Sequence, residues 1–208
     1  MFDEQLLARA VSGQADAKVQ LFTEFEPRLR RMLALRLDHL LQGKLDASDV
    51  LQESYMEFSR SIANYRALDN LPFYLWLRMV TLRKMTALQR KFMATEARDI
   101  NREISLHRGP MPNASTCSLA DVFVGNLTSP SQAAIRTELQ LRVQDALNDL
   151  DPIEREVLTL RHFEQLSNSE VAEVLQITPA AASNRYVRAL KRLRPVLDEI
   201  VQAESSSG

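Results

Sequence analysis

Apolar residues recur along almost the whole chain at the three-to-four spacing of helices. A first short pattern begins at Asp3 and stops at Gly13, a residue suited to the position after a helix C-terminus. A longer apolar-periodic stretch covers 16–41, where Pro27 is expected to kink the helix or start a second one. The next begins at Asp46-Ala47-Ser48-Asp49 and carries Leu51, Tyr55, Phe58, Ile62 and Tyr65, which share one helical stripe. Asp69, with Pro72 just inside, reads as another start, for a helix reaching about residue 92.

From 95 to 131 the pattern weakens. Gly109, Pro110, Pro112, Gly125 and Pro130 interrupt it, with several Ser and Asn between them. A loose stretch of this length is unusual inside one compact domain, so it reads as a linker. A helix over 131–150 follows. Two start signals come next: Asp151-Pro152-Ile153-Glu154, and Ser167-Asn168-Ser169-Glu170 with capping-box spacing. Thr178-Pro179 opens the last helix, which is expected to run to about Ala203. The pattern predicts an all-α fold of two small helical domains, 1–94 and 132–203. A flexible linker, 95–131, joins them, and 204–208 forms a disordered tail.

Composition agrees. With 5 Gly and 6% aromatic residues in 208, strand-rich sandwiches and barrels are disfavoured. One cysteine, Cys117, excludes a disulfide framework and a Cys-rich zinc site; alone in the linker, its role is open. His39, His107 and His162 have no partners at ligand spacing, so no metal and no cofactor is expected. No phosphate loop or catalytic motif is present, so no catalytic residue is assigned and no enzyme activity is expected. The acidic start at Met1-Phe2-Asp3-Glu4 lacks a signal-peptide pattern, and no apolar run approaches the ~18 residues of a membrane span. The expected setting is cytoplasmic, without membrane insertion.

The net charge of −1 hides a pattern. Residues 70–95 hold Arg78, Arg83, Lys84, Arg90 and Lys91 and no acidic residue. Residues 179–195 hold Arg185, Arg188, Lys191, Arg192 and Arg194, again with none. Two acid-free basic segments suggest two polyanion-facing surfaces, although on charge alone two solvated helix faces would serve as well.

The second basic segment has more structure to it. A short helix, 170–175, precedes a turn and a longer helix. Ala172 supplies the small residue that two crossing helices need. Ala182, Tyr186, Ala189 and Leu193 form the apolar side of the longer helix. The opposite side shows Ala181, Asn184, Arg185, Arg188, Lys191 and Arg192. This is the layout of a helix-turn-helix. Asn and Arg on such a helix can read base edges in the major groove, while the remaining Arg and Lys hold phosphates.

Asp151-Pro152-Ile153-Glu154-Arg155-Glu156-Val157-Leu158, Ser169-Glu170-Val171-Ala172 and Ser183-Asn184-Arg185-Tyr186-Val187-Arg188-Ala189-Leu190 together resemble region four of bacterial sigma factors, the promoter-recognition subunits of RNA polymerase. Asp46-Ala47-Ser48-Asp49-Val50-Leu51-Gln52-Glu53-Ser54-Tyr55 and Phe73-Tyr74-Leu75-Trp76-Leu77 are similar to region two. With only these two regions and a short linker, the chain resembles the extracytoplasmic-function (ECF) group of the sigma-70 family.

The resemblance implies a sigma factor that binds core RNA polymerase and directs promoter-specific initiation of DNA-templated transcription. Region two would meet the β′ clamp coiled coil through Asp49, Gln52, Glu53 and Glu57. It would hold the minus-ten element as single-stranded DNA through Arg78, Arg83, Lys84, Arg90 and Lys91, with a flipped-base pocket in the loop 65–71. Phe73, Trp76, Leu77 and Val80 are expected in the core rather than against bases. Region four would read the minus-thirty-five element with the helix-turn-helix residues and touch the β flap. An anti-sigma factor is a further candidate partner that no residue identifies. Ala180 stands where many members have Gly in the turn, and Ser183-Asn184 and Leu82-Arg83 depart from the usual residues at DNA-facing positions. The competing readings are a stand-alone helix-turn-helix regulator and a helical adaptor that does not read DNA.

Overall fold

The computed structural model describes residues 3–37, 44–67, 71–99, 114–124 and 133–205. Every regular element among them is helical. The chain divides into two compact units, 1–112 and 113–208.

The first unit opens with α1 (Glu4–Val11), whose N-terminal amides are capped by Asp3; its carboxylate accepts the Gln5 and Leu6 N–H groups at 2.9 and 3.1 Å. The chain turns at Gly13, φ +96°, a conformation that favours glycine. Helix α2 (Ala15–Arg36) then runs through Pro27 as one element. Pro27 is exposed on this helix. The helix stops at Arg36, short of the expected 41, and 38–43 lie outside the described residues.

Helix α3 (Ala47–Ser61) starts with a reciprocal cap. The Asp46 carboxylate accepts the Asp49 N–H at 2.9 Å, and the Asp49 carboxylate accepts the Asp46 N–H at 3.0 Å. A short 3-10 helix (Ile62–Ala67) follows. Helix α4 (Phe73–Asp99) buries residues 73–78, 80–82 and 85, nearly all sides of its first three turns, so it is the centre of this unit. Phe58 of α3 touches Phe22, Phe73 and Trp76 at ring separations of 5.5, 6.3 and 6.2 Å, tying α2, α3 and α4 through one aromatic cluster. Phe73, Trp76, Leu77 and Val80 are core residues, as expected.

The second unit begins inside the segment expected to be a loose linker. Helix α5 (Thr116–Val124) buries Leu119, Ala120 and Val124 and packs on α6 (Ala133–Asn148). Breakers on both sides hide this short apolar run in the sequence. Cys117 is exposed on α5. Helix α7 (Pro152–Leu158) follows, capped by Asp151, and leads into a π-helical turn, Thr159–Phe163.

Helices α8 (Asn168–Leu175) and α9 (Pro179–Ser205) form the helix-turn-helix. The capping box at Ser167 and Glu170 is present as the sequence predicts. Ala172 is buried with Ala182, Ala189 and Leu193, and α8 and α7 pack on α9. The left-handed turn residue is Gln176, φ 53°, while Ala180 already lies within α9 and has no positive φ. A glycine at 180 is therefore not required for this turn. Glu204 and Ser205 belong to α9 rather than to a tail; 206–208 lie outside the described residues.

If α5 is part of the second unit, Leu119→Ala should cost ~2–5 kcal/mol of stability, the usual range for emptying a core leucine site. Urea denaturation followed by circular dichroism checks this. An unchanged transition would return α5 to the status of a connector.

Candidate nucleic-acid and polymerase interfaces

The geometry of α9 follows from its two ends and its buried side. Thr178 Oγ1 accepts the Ala181 N–H at 3.1 Å, capping the start. The Asn168 side-chain amide donates to the Pro179 carbonyl at 2.7 Å, joining the start of α8 to the start of α9. Gln176 Nε2 donates to the Glu173 carbonyl at 2.7 Å, and the Gln176 N–H closes onto the last turn of α8. The turn is thus held by hydrogen bonds, and the angle between the helices is set locally.

With Ala182, Ala189 and Leu193 inward, Asn184, Arg188, Lys191 and Arg192 stand exposed on the other side of α9. Ala181 and Arg185 are half-buried. Tyr186, expected in the core, is also half-buried, with the Arg161 guanidinium 5.3 Å from its ring centre. Val187 is an exposed apolar residue on the same stretch as Asn184 and Arg188. Such a side chain suits contact with a thymine methyl. Only its departure from the core spacing could have marked it in the sequence.

Three of the arginines are engaged by acidic groups of α7 and its cap. Arg185 Nη1 lies 3.7 Å from Asp151 Oδ1. Arg188 Nε lies 3.6 Å from Glu154 Oε1, and Arg192 Nη1 donates to Glu154 Oε2 at 3.0 Å. Asp151 and Glu154 read in the sequence only as helix-start residues, so this pairing was not visible there.

In the first unit the proposed DNA residues separate. Arg83, Arg90 and Lys91 are exposed along α4. Arg78 is buried, at 3% exposure, and does not share their face; it sits within the turns of α4 that are covered on nearly every side. Lys84 is ion-paired with Glu57 of α3, Nζ to Oε2 3.2 Å. That contact joins a residue expected on the DNA side to one expected on the polymerase side.

On α3, Asp49 and Gln52 are exposed and Glu53 is half-buried. The Asp49 carboxylate is also half of the helix cap. Exposed Met56 lies one turn beyond Gln52, an apolar member of this face that the charge pattern concealed. An open groove of about 400 Å³ runs between α2 and α3, with Phe22, Leu51, Gln52 and Tyr55 in its walls and the Arg30–Glu26 pair (2.8 Å) at its edge.

The Tyr65 hydroxyl donates to the Leu71 carbonyl at 2.7 Å across the loop expected to hold a flipped base. Its ring stands edge-on to Phe73 and tilted on Trp76, both at 5.3 Å. Residues 68–70 lie outside the described residues. Burial pushes the Tyr65 phenol above its ordinary value.

Among the described residues no helix is long and apolar enough to cross a membrane, and no group of three His, Cys, Asp or Glu gathers as a metal site. His162 instead stacks on Phe123, 5.8 Å between ring centres.

These features define a helical unit with an exposed face on α3, followed by a helix-turn-helix unit. The family model "Sigma-70, region 4" matches residues 140–193, which run from the second half of α6 through α7 and α8 to the middle of α9. The RNA polymerase sigma-H factor of Pseudomonas aeruginosa is 27% identical over 206 residues, covering 95% of this chain and 96% of the relative. The ECF RNA polymerase sigma-E factor of Haemophilus influenzae is 25% identical over 187 residues, covering 90% of each. The solved structure of CnrH, in complex with the cytosolic domain of CnrY, has the same fold: TM-score 0.53, 24% identity, covering 95% of this chain and 97% of that one. The chain thus resembles ECF-type sigma-70 family proteins over nearly its whole length, and its residues 140–193 match their region 4.

Tyr65→Phe should lower stability by about 1 kcal/mol through the lost hydrogen bond. Because burial favours the neutral phenol, the Tyr65 contribution is whole below its ordinary pKa of 10.0 and declines as the pH rises above it. Urea midpoints at about pH 8 and about pH 11 should therefore fall less for Tyr65→Phe than for the wild type.

Proposed function

We infer that this protein is a promoter-specificity subunit that joins core RNA polymerase and directs initiation at its own class of promoters. The observation that carries this is the exposed stretch of Asn184, Arg188, Lys191 and Arg192 on α9 of a region-four unit, in a chain matched by sigma factors over nearly its full length.

In this reading α9 enters the major groove of the minus-thirty-five element. Asn184 and Arg188 reach base edges, and Lys191 with Arg192 meets the phosphates. The exposed basic residues of α4, Arg83, Arg90 and Lys91, track the backbone of the separated minus-ten strand. Arg78 is left out of that set because it is buried, and Lys84 takes part only if its pair with Glu57 opens. Gln52, Glu53 and Met56 offer the polymerase clamp a mixed polar and apolar face beside the α2–α3 groove. RNA synthesis itself is the work of the polymerase, and the cytoplasm is where the two would meet. A restraining protein partner is part of the proposal, since CnrH was solved with the cytosolic domain of CnrY.

Two variants test the two surfaces. Arg188→Ala with Arg192→Ala should weaken minus-thirty-five-dependent promoter binding by ~1–3 kcal/mol if a bidentate base contact is lost. Transcription from minus-thirty-five-dependent and independent promoters checks it. Gln52→Arg with Glu53→Arg, which leaves the Asp49 cap intact, should abolish co-elution with core polymerase while circular dichroism stays native. Sequence-specific duplex binding by the free protein, with no co-elution of the wild type, would favour the stand-alone regulator instead.

A further inference from the structure

The Glu154 side chain is 3% exposed, yet it meets two arginines whose side chains are more than half exposed, Arg188 at 58% and Arg192 at 55%. The carboxylate therefore lies beneath the guanidinium groups, on the protein side of them. Its own place is fixed: Glu154 is in the first turn of α7, behind Pro152, and its N–H lies 3.4 Å from the capping Asp151 carboxylate oxygen.

A buried carboxylate needs partners, because an unpaired buried charge is strongly unfavourable. Release of both arginines to DNA would leave Glu154 in that state. Arginine avoids the conflict. It carries five N–H donors in a planar fork. Arg188 meets Glu154 through Nε and Arg192 through Nη1, so each guanidinium has further donors for a base edge or a phosphate while anchored. An arginine already held in place also has less side-chain freedom to lose on binding.

We propose that Glu154 is a positioning residue for promoter readout: it fixes Arg188 and Arg192 from beneath, and both contact DNA without leaving it. The proposal rests on the reading of α9 as the promoter-reading helix. Glu154 need not touch DNA itself. The geometry opposes a masking role, since a carboxylate beneath the guanidinium groups does not cover their solvent side.

The test uses holoenzyme reconstituted with the full chain, on promoters that the wild-type holoenzyme selects from a random-sequence library. The readouts are the base preference across the minus-thirty-five element and the ratio of transcription with that element intact to transcription with it scrambled. Glu154→Gln keeps the shape and removes the charge. It should lower the ratio roughly tenfold, of the order of one lost base contact, and flatten base preference at the position Arg188 reads. Transcription from scrambled promoters should be unchanged. Combining Glu154→Gln with Arg188→Ala and Arg192→Ala should lower the ratio no further than the arginine variants alone. A defect of folding alone would instead reduce occupancy without changing which bases are preferred.

Wild-type base preference in folded Glu154→Gln, or a raised ratio, would overturn the proposal. If Glu154→Gln proves unfolded by circular dichroism, Arg188→Lys decides. Its ammonium keeps the charge but cannot hold Glu154 and a base edge at once as the fork does, so it should lose as much of the ratio as Arg188→Ala; a retained ratio would overturn the inference. Full minus-thirty-five dependence in the Arg188→Ala, Arg192→Ala variant would instead remove the reading of α9, and the inference with it.

Discussion

Burial of Ala182, Ala189 and Leu193 against α7 and α8 decides which side of α9 is left to solvent. The small side chains matter because helices approach closely only where there is little bulk between them. Once that side is committed, Asn184, Arg188 and Lys191 have no other place to go. The caps at Ser167 and Thr178 and the bond from Asn168 to the Pro179 carbonyl then set the angle of the motif. Nothing in this turn depends on glycine. Gln176 takes the left-handed conformation, with its side-chain amide on the Glu173 carbonyl. The exposed basic surface of α9 is thus a consequence of apolar packing one or two residues away from it.

The same logic governs the first unit with larger side chains. Phe58 gathers Phe22, Phe73 and Trp76 into one cluster, and the early turns of α4 are covered on nearly every side. The surfaces proposed for partners are what this core leaves over: the outer side of α3 and the later turns of α4. They are not independent, because Glu57 on one is paired with Lys84 on the other. A half-exposed, solvent-screened pair of this kind contributes little to stability. Its consequence is that a partner engaging either residue must compete with the other.

How much was legible in the sequence varied with how local the physics is. Caps are encoded within four residues, so Asp46 with Asp49, Asp151 with Pro152, and Ser167 with Glu170 marked true helix starts. The small residue at Ala172 and the stripe of α9 were equally local. Helix α5 was hidden because its Leu119–Val124 run is shorter than the breakers around it and is stabilised by α6 rather than by its own pattern. The π-helical turn after α7 left no trace in the pattern either. Arg78 was misplaced for a different reason. A charge count assumes that a basic helix has one wet face, and α4 has none over its first three turns. Glu154 was read only as the third residue of a capped helix, and its second partner set lies thirty-odd positions away in α9, which no local pattern reports.

In the proposed reading, that long-range pairing also accounts for how a protein of net charge −1 can carry a DNA-reading helix. A single carboxylate set beneath two arginines leaves one net positive charge where a bare basic helix would show two. The attraction to any phosphate backbone falls, and with it the salt-dependent, sequence-independent part of binding. Directional hydrogen bonding to bases is retained, because the donors facing solvent are not the ones that hold the carboxylate. Specificity is a difference between binding to the right and wrong sequences, so lowering the indiscriminate part while keeping the directional part widens that difference. On the same reading, weak binding by one such unit would be supplemented by the second proposed DNA-facing unit on the same chain, since linked contacts act at high effective concentration only when both can be engaged together. Core polymerase, in this view, supplies the frame in which the two weak and selective surfaces reach one promoter at once.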